Sequence, residues 1–222
     1  MIPVIVIDGP SGTGKGTLAA LLAGRLGWHL LDSGAIYRVL GLAAERRGLA
    51  LDDPDALTPL ATSLPLDFAG DQVLLDGEDV AGLIRTETVG MSASRVAIHP
   101  PVRAALLAWQ RRCARLPGLV ADGRDMGSVV FPDAPLKIFL DASPEIRANR
   151  RYKQLIEKGL NANLTNLIMD IRERDTRDRT RSVAPLCAAG DAVLVDSTAL
   201  SITEVFDRIL EEVRRVFPEL VW

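Results

Sequence analysis

The sequence predicts an α/β fold in which a parallel β-sheet is covered by helices on both faces. Short apolar segments rich in β-branched residues alternate with longer segments of helical periodicity, which is the pattern of parallel strands joined by crossover helices. The first apolar segment, from Ile2, runs directly into a glycine-rich turn. Polar residues follow several predicted strands, and ligands of such sheets bind at the carboxyl ends of the strands.

The predicted helices and strands carry local signals at their ends. Gly27 stops the first helix, because glycine readily adopts the left-handed conformation that ends helices. Asp76-Gly77 predicts a tight hairpin turn, and Ser201 with Glu204 predicts a capping box for the last helix. The predicted helices span about 15–26, 34–47, 54–60, 87–98, 102–115, 144–158, 164–179 and 202–217, and the predicted strands about 2–7, 28–31, 64–68, 72–75, 78–80, 119–121, 136–140 and 192–195.

Composition excludes several classes of protein. The chain has 222 residues, of which 48% are apolar and 25% charged, as in an ordinary globular protein. No apolar run reaches the roughly 20 residues that cross a bilayer, and the N-terminus lacks a secretion signal. Cys113 and Cys187 are far apart, which argues against a disulfide framework and a zinc site. The net charge is −3. We therefore expect a cytoplasmic protein without a membrane or nucleic-acid partner.

The glycine-rich turn has the spacing Gly9-x-x-x-x-Gly14-Lys15, which is typical of a phosphate-binding P-loop. Backbone N–H groups in such a turn, together with the helix N-terminus, form an anion cradle. Lys15 can reach the outer phosphates, and Thr17 offers a hydroxyl near a bound magnesium ion. Gly16 departs from the usual pattern, which has Ser or Thr directly after the lysine. We expect this turn to bind a nucleoside triphosphate, and the alternative is a turn that merely links a strand to a helix. The predicted ATP-binding residues are Gly9, Pro10, Ser11, Gly12, Thr13, Gly14, Lys15, Gly16 and Thr17.

Arginines cluster between Arg147 and Arg181. Arg147, Arg150 and Arg151 share one helix face, and so do the charged residues of the next helix. These faces could be solvated surfaces with ion pairs, but we favour guanidiniums that converge on phosphates, which arginine binds bidentately. A phosphate acceptor needs many cations and no strong base, because a nucleoside monophosphate is already ionised near neutral pH. A hydroxyl acceptor would need a carboxylate within hydrogen-bond reach.

Four segments together resemble the bacterial cytidylate kinase family. They are Gly9 to Thr17, Leu31 to Arg38, Ala121 to Gly127, and the arginine- and aspartate-rich stretch from Arg172 to Arg179. The resemblance covers essentially the whole chain, and the Lys-Gly-Thr ending of the first segment is usual in that family. It implies transfer of the γ-phosphoryl group of ATP to CMP or dCMP with Mg²⁺, on a P-loop NTPase-type sheet with a lid and a β-containing insertion in the monophosphate-binding part.

The resemblance also implies roles for individual residues. The CMP phosphate would be held by Ser33, Arg38 and Arg124. The cytosine edge would be read by Ser94, Arg103 and Asp125. The sugar and acceptor phosphate would be surrounded by Arg174, Asp178 and Arg181. The lid arginines Arg150 and Arg151 would close over the transferring group. The catalytic set would be Lys15, Arg124, Arg150, Arg151 and Arg181. Thr17 and, through water, Asp122 would serve the magnesium ion, although Asp122 could equally be a strand-end carboxylate that orients Arg124.

The expected organisation is one monomeric P-loop kinase chain. Its core would comprise about 1–33, 86–142 and 180–222, its monophosphate-binding part about 34–100 with the insertion at 64–85, and its lid about 144–163. Two other functions stay open. One is a kinase that phosphorylates a hydroxyl of a small metabolite. The other is a P-loop protein that switches on nucleotide without phosphoryl transfer, although the Asn-Lys-x-Asp segment of a GTPase is not present.

Overall fold

The computed structural model describes residues 2–69, 72–157 and 159–220. The chain forms two compact units. The second unit is Asp32–Arg112, and the first is built from the segments on either side of it. The helices are α1 (Lys15–Leu26), α2 (Ser33–Arg46), α3 (Pro54–Thr62), α4 (Glu87–Val96), α5 (Pro100–Arg112), α6 (Pro144–Glu157), α7 (Leu164–Thr180) and α8 (Ile202–Val216). The strands are β1 (Val4–Asp8), β2 (His29–Asp32), β3 (Leu66–Ala69), β4 (Gln72–Leu75), β5 (Glu78–Asp79), β6 (Leu119–Gly123), β7 (Leu136–Asp141) and β8 (Val193–Asp196).

The first unit contains a five-stranded sheet in the order β2-β6-β1-β7-β8, which confirms the predicted α/β fold. β1 pairs in parallel with both β6 and β7, and β7 pairs in parallel with β8. All five residues of β1 are buried, so both faces of this central strand are covered. The register places Asp8 beside Gly123. The turns that follow β1 and β6 therefore start at the same edge of the sheet.

The core of the first unit lies between this sheet and the helices α1 and α8. Leu18 and Leu22 of α1 are fully buried with Ile5 and Ile7 of β1. The apolar face of α8 closes the same cluster, and Phe217, just after that helix, packs edge-to-face on Trp28 with ring centroids 5.6 Å apart. Burial of these side chains, at about 1.5–3 kcal/mol each, fixes the sheet on which the strand-end residues stand.

The second unit combines the helices α2 to α5 with a three-stranded antiparallel sheet of order β3-β4-β5. The predicted hairpin turn is confirmed, since Asp76 and Gly77 have φ values of 53° and 83°. Phe68 of this sheet contacts Trp109 of α5, with ring centroids 6.0 Å apart. The β-rich insertion is therefore anchored on a helix of its own unit.

Most element positions follow the sequence signals, with three departures. α5 begins at Pro100, whereas the sequence analysis placed the helix start after both prolines; proline suits a first helical turn, where its missing N–H would have no partner. β6 continues through Gly123, because Asp122 and Gly123 pair in register with β1. A π-helical turn, Met126–Val130, follows β6 and was not predicted. Among the described helices, none is long and apolar enough to span a membrane.

Candidate active site

The glycine-rich turn joins β1 to α1 in the conformation that the spacing predicts. Gly9, Gly12 and Gly14 have positive φ values, and Gly14, the residue before α1, provides no side-chain cap for this helix. Lys15 is buried and donates from Nζ to the carbonyl oxygen of Pro10 at 3.0 Å. The first N–H groups of an uncapped helix need external acceptors, so the turn and the start of α1 together form an anion site.

Gly16 has a physical reason to replace the usual serine or threonine. A Cβ at this position would lie 3.0 Å from Oδ2 of Asp122, a buried residue of β6. A larger residue would therefore compete with the Asp122 carboxylate for space. Asp122 thus reaches the start of α1, next to the exposed Thr17.

The oxygen ligands available here suit a magnesium ion. Mg²⁺ is commonly held by one or two carboxylates, water and substrate phosphates rather than by a complete set of protein ligands. Asp122 and Thr17 supply one carboxylate and one hydroxyl near the phosphate cradle. Within the described segments there is no group of three or more His, Cys, Asp or Glu side chains that could hold a metal by itself. The residues present therefore fit a magnesium ion that arrives with a nucleotide.

Arg124 and Asp178 form an ion pair between β6 and α7. Arg124 Nε lies 3.0 Å from Asp178 Oδ2, and both side chains are largely buried. Burial alone would lower the pKa of Arg124, but the charge and hydrogen bond of Asp178 outweigh it and raise that pKa. Burial would raise the pKa of Asp178, but the charges of Arg124, Arg174 and Arg181 together lower it. Both groups are therefore charged at neutral pH.

A second buried pair links the same two segments. Arg181, just after α7, has Nη2 3.6 Å from Oδ1 of Asp125, and each side chain is 4% exposed. The Arg181 Nε also donates to the carbonyl of Ala184. The structure thus gathers five predicted CMP residues from two distant segments into one charged group, in which the two aspartates are buried. We call this group the β6–α7 cluster; its members are Arg124, Asp125, Arg174, Asp178 and Arg181.

Asp8 is a site residue that the sequence analysis missed. Its two carboxylate oxygens accept the backbone N–H groups of Met126 and Gly127 at 2.9 and 2.8 Å, so it holds the turn directly after Asp125. Burial raises the pKa of Asp8 to about 6 despite these two hydrogen bonds. The available signal was a carboxylate at the end of an otherwise apolar strand.

Arg150, which the sequence analysis assigned to a lid, binds backbone carbonyls in this structure. Its guanidinium donates to Thr13 O at 3.3 Å, to Ser197 O at 2.6 Å and to Leu200 O at 3.3 Å. It therefore holds the segment after β8 against the glycine-rich turn. Arg151 contacts Gln154 at 3.4 Å. Closure of the two arginines over a phosphoryl group stays a prediction.

A cavity of about 370 Å³ lies beside Arg150, between α6 and the segment that follows β8. Its walls are mixed, with the apolar side chains of Ile146 and Leu200 and the polar groups of Asn149 and Ser201. An open cavity of this size, with both apolar and polar walls, can accommodate a flat polar ring system.

In the second unit, Arg38 and Ser33 form hydrogen bonds with distant residues of the same unit. Arg38 Nη1 donates to the carbonyl oxygens of Ile84 and Thr86 at 2.6 and 3.1 Å. Ser33 Oγ lies 3.4 Å from Oε1 of Gln110. The Arg38 guanidinium is thereby fixed at the start of α4.

Arg103 and Ser94 are both buried in the second unit. Arg103 donates to the carbonyl of Ala97 at 3.3 Å and lies over the ring of Tyr37, 5.7 Å from its centroid. The Ser94 hydroxyl has no hydrogen-bond partner among the described residues. Buried polar atoms almost always have a partner, so an orphaned hydroxyl marks a place where a ligand atom could bind.

The family model described as Cytidylate kinase matches residues 5–215. The protein named Cytidylate kinase of Aeromonas salmonicida is 60% identical over 214 residues, which are 95% of this chain and 93% of that protein. The Cytidylate kinase of Stutzerimonas stutzeri is 59% identical over 218 residues, which are 96% and 95% of the two chains.

Two solved structures with the same fold are much more distant in sequence. An uncharacterized protein from Eubacterium ventriosum has a TM-score of 0.54 at 10% identity, over 97% of this chain and 99% of that chain. A sugar kinase from a Janibacter species has a TM-score of 0.50 at 16% identity, over 100% and 99%. These likenesses concern the fold alone. On the evidence of the family model and the two close relatives, the chain belongs to the cytidylate kinase family.

Proposed function

We propose that the protein transfers the γ-phosphoryl group of ATP to CMP or dCMP, giving CDP or dCDP and ADP. The observation that carries this proposal is the β6–α7 cluster, whose three arginines belong to the same unit as the phosphate-binding turn. Three guanidiniums exceed the charge of its two carboxylates, so the cluster can accept a phosphate dianion. Relatives about 60% identical carry the name cytidylate kinase.

ATP binds through its phosphates on the glycine-rich turn. The backbone N–H groups from Ser11 to Thr17 and the Lys15 ammonium provide the donors. Lys15 exchanges its bond to a neutral carbonyl for a stronger one to phosphate. The cavity beside Arg150 receives the base of ATP, since it adjoins the arginine that contacts this turn.

The acceptor needs little activation. The second pKa of a phosphate monoester is about 6, so CMP carries a dianionic phosphate at neutral pH. One of its oxygens attacks the γ-phosphorus, and the bond to the β–γ bridging oxygen breaks as ADP leaves. The protein contributes positioning and positive charge rather than a base. Arg124, Arg174 and Arg181 supply charge on the acceptor side, and Arg150 and Arg151 would close on the transferring group.

A magnesium ion bound with ATP would be served by Thr17 and, through water, by Asp122. The ion supplies positive charge to the β- and γ-phosphates. The close approach of Asp122 to Gly16 supports this role. The other role of Asp122, to orient Arg124, is also supported, because its charge contributes to the raised pKa of Arg124.

Recognition of cytosine would use a carboxylate, a hydroxyl and a guanidinium. The exocyclic amino group of cytosine is a donor that a carboxylate can accept, which suits Asp125. Ser94 has an orphaned buried hydroxyl and Arg103 a buried guanidinium, and both suit the remaining acceptors of the base. Ser33 and Arg38 would hold the CMP phosphate, and Asp178 would contact the sugar.

The remaining expectations are part of the same proposal. Residues 144–163 form a lid, and residues 34–100, with the insertion at 64–85, bind the monophosphate. The rest of the chain, about 1–33, 86–142 and 180–222, forms the core. The protein acts as a cytoplasmic monomer on two nucleotides, without a nucleic-acid or membrane partner.

An ADP-release assay tests the function. Purified protein and MgATP are mixed in turn with each common nucleoside monophosphate and with a set of hydroxyl-bearing metabolites. We expect ADP release with CMP and dCMP, and none from the Lys15→Ala variant, which cannot hold the triphosphate. Turnover with an alcohol alone would favour a hydroxyl-directed kinase. ADP release that needs no acceptor would favour a nucleotide-hydrolysing switch.

A further inference from the structure

Arg147 is a buried arginine that the charge pattern grouped with the lid arginines, but its contacts are different. It is 1% exposed. Its Nε donates to the carbonyl of Ala142 at 2.8 Å, and its Nη1 donates to Ser11 O at 2.9 Å and to Asp175 Oδ1 at 3.0 Å. Its Nη2 donates to the second carboxylate oxygen of Asp175. All three guanidinium nitrogens are thus engaged within the protein.

The side chain of Arg147 also packs against the glycine-rich turn. A Cβ at Gly12 would lie 3.1 Å from the Cβ of Arg147, so the turn and α6 are in close contact at this point. The hydrogen bond to the Ser11 carbonyl is made one residue earlier. Arg147 therefore fixes the middle of the phosphate cradle, between the ends that β1 and α1 hold.

Asp175, the partner of Arg147, lies on α7, which also carries Arg174 and Asp178 of the β6–α7 cluster. Asp175 and Asp178 are three residues apart on α7, so they share one helix face. Asp175 holds Arg147 and, through it, the cradle, whereas Asp178 holds Arg124 of the β6–α7 cluster. Two carboxylates one turn apart thus tie the donor cradle and an acceptor arginine to the same rigid helix.

We propose that Arg147 and Asp175 are positioning residues that set the phosphate cradle at a fixed distance from the β6–α7 cluster. This inference rests on the proposed function. The pair touches no substrate. It holds the γ-phosphorus in line with the acceptor oxygen, and a displacement of about 1 Å can slow such a step by as much as about a hundredfold.

Stability and positioning can be separated for this pair. Removing one partner of a buried ion pair leaves an uncompensated charge and is strongly destabilising, whereas replacing both by apolar residues of similar volume is often neutral or stabilising. Arg147→Met with Asp175→Leu should therefore melt at a higher temperature than either single variant, but below wild type, because the carbonyls of Ala142 and Ser11 lose their donor. The double variant still lacks a donor for the Ser11 carbonyl, so the cradle stays displaced.

The experiment measures melting temperature, kcat and both KM values for the two single variants and the double variant. We expect the double variant to melt at a higher temperature than either single variant, yet to have a kcat for CMP that is reduced at least about tenfold. We expect its KM for CMP to change by less than about threefold, because the acceptor contacts remain. Arg147→Lys keeps a charge beside Asp175 but has no planar fork, so it should melt at a higher temperature than Arg147→Met, which leaves Asp175 unpaired, and should still have a reduced kcat.

A matched control uses the exposed pair between the same two helices, Arg172 and Glu145, whose Nη2 and Oε1 atoms lie 2.6 Å apart. Arg172→Met with Glu145→Leu should leave kcat within about twofold of wild type, since surface pairs contribute little. Wild-type kcat in the double variant or in Arg147→Lys would overturn the inference, and so would an equal loss of kcat in the control. A wild-type protein that leaves CMP unchanged would overturn the proposed function itself.

Discussion

At the scale of single residues, Asp125 carries the sharpest claim about specificity. Its carboxylate is buried and lies 3.6 Å from Arg181 Nη2. Asp125→Ala should raise KM for CMP about 10- to 100-fold, which corresponds to the loss of a charge-assisted hydrogen bond of about 1.5–3 kcal/mol. KM for ATP should change far less, because the donor cradle is untouched. Steady-state kinetics with each nucleotide varied in turn provides the comparison.

The exposed Asp133 is a suitable control for this experiment, because it also lies between β6 and β7 but has no proposed role in nucleotide binding. Asp133→Ala should leave both KM values near those of wild type. Equal increases in KM for CMP and ATP in Asp125→Ala would contradict the assignment to cytosine.

Asp8 should make the folded protein less stable as the pH rises, which is the opposite of what most carboxylates do. Burial raises its pKa from 3.8 to about 6, so the folded protein binds this proton more tightly than the unfolded chain does. The stabilisation from Asp8 is complete below pH 3.8 and is lost as the pH rises through about 6. The shift of about two pH units corresponds to roughly 3 kcal/mol. Asp178, whose pKa is lowered, changes in the opposite direction and loses its stabilisation as the pH falls.

Asp8→Asn removes this titration and isolates its contribution. The free energy of unfolding of each protein is measured with urea at pH 7 and at about pH 4. Relative to the variant, wild type should be about 2–3 kcal/mol more stable at pH 4 than it is at pH 7. A difference between the two proteins that does not depend on pH would show that Asp8 titrates normally.

At the scale of elements, α6 is the part of the proposed lid with the clearest contacts. Arg150 holds it on the carbonyls of Thr13, Ser197 and Leu200, all neutral acceptors that phosphate oxygens can replace. Closure over the nucleotides would exclude water, which would otherwise accept the phosphoryl group. Hydrogen exchange in residues 144–163 should therefore slow when ATP-analogue and CMP are both present. The amides of α8 serve as an internal control and should not change.

Identical protection of residues 144–163 with and without both nucleotides would argue against a closing lid. If one nucleotide alone slows the exchange and the second has no further effect, the protection results from binding of that nucleotide and not from closure over both.

The elements also show how far sequence reasoning reaches. Signals that act within a few residues were sufficient for α1, for the Asp76-Gly77 hairpin and for the capping box of α8. The start of α5 was predicted wrongly, because two prolines were taken as a break rather than as a first turn. The π-helical turn after β6 depends on Asp8, more than a hundred residues away, and no local pattern encodes that contact.

The same limit applies to the predicted site. The glycine spacing indicated the phosphate cradle, and helix periodicity indicated which arginines share a face. The pairing of Arg147 with Asp175 and of Arg124 with Asp178 arises only when α7 packs beside α6 and β6. Charge patterning therefore indicated which arginines share a helix face but could not show which of them pair with carboxylates of the same protein.

At the scale of the whole molecule, the chain consists of two compact units, and the predicted CMP residues are divided between them. The β6–α7 cluster and the phosphate cradle belong to the first unit, and Ser33, Arg38, Ser94 and Arg103 belong to the second. The proposed reaction unites these residues. It transfers a phosphoryl group to a phosphate oxygen of the acceptor, and arginine side chains supply positive charge where a hydroxyl acceptor would need a base.

Phosphorus NMR of the complete reaction examines this claim at the level of bonds. Wild-type protein is incubated with MgATP and CMP, and the spectrum is followed over time. The prediction is that the CMP signal decreases while the paired α- and β-phosphorus signals of CDP and ADP appear together, with no inorganic phosphate. Release of inorganic phosphate while the CMP signal stays unchanged would contradict it.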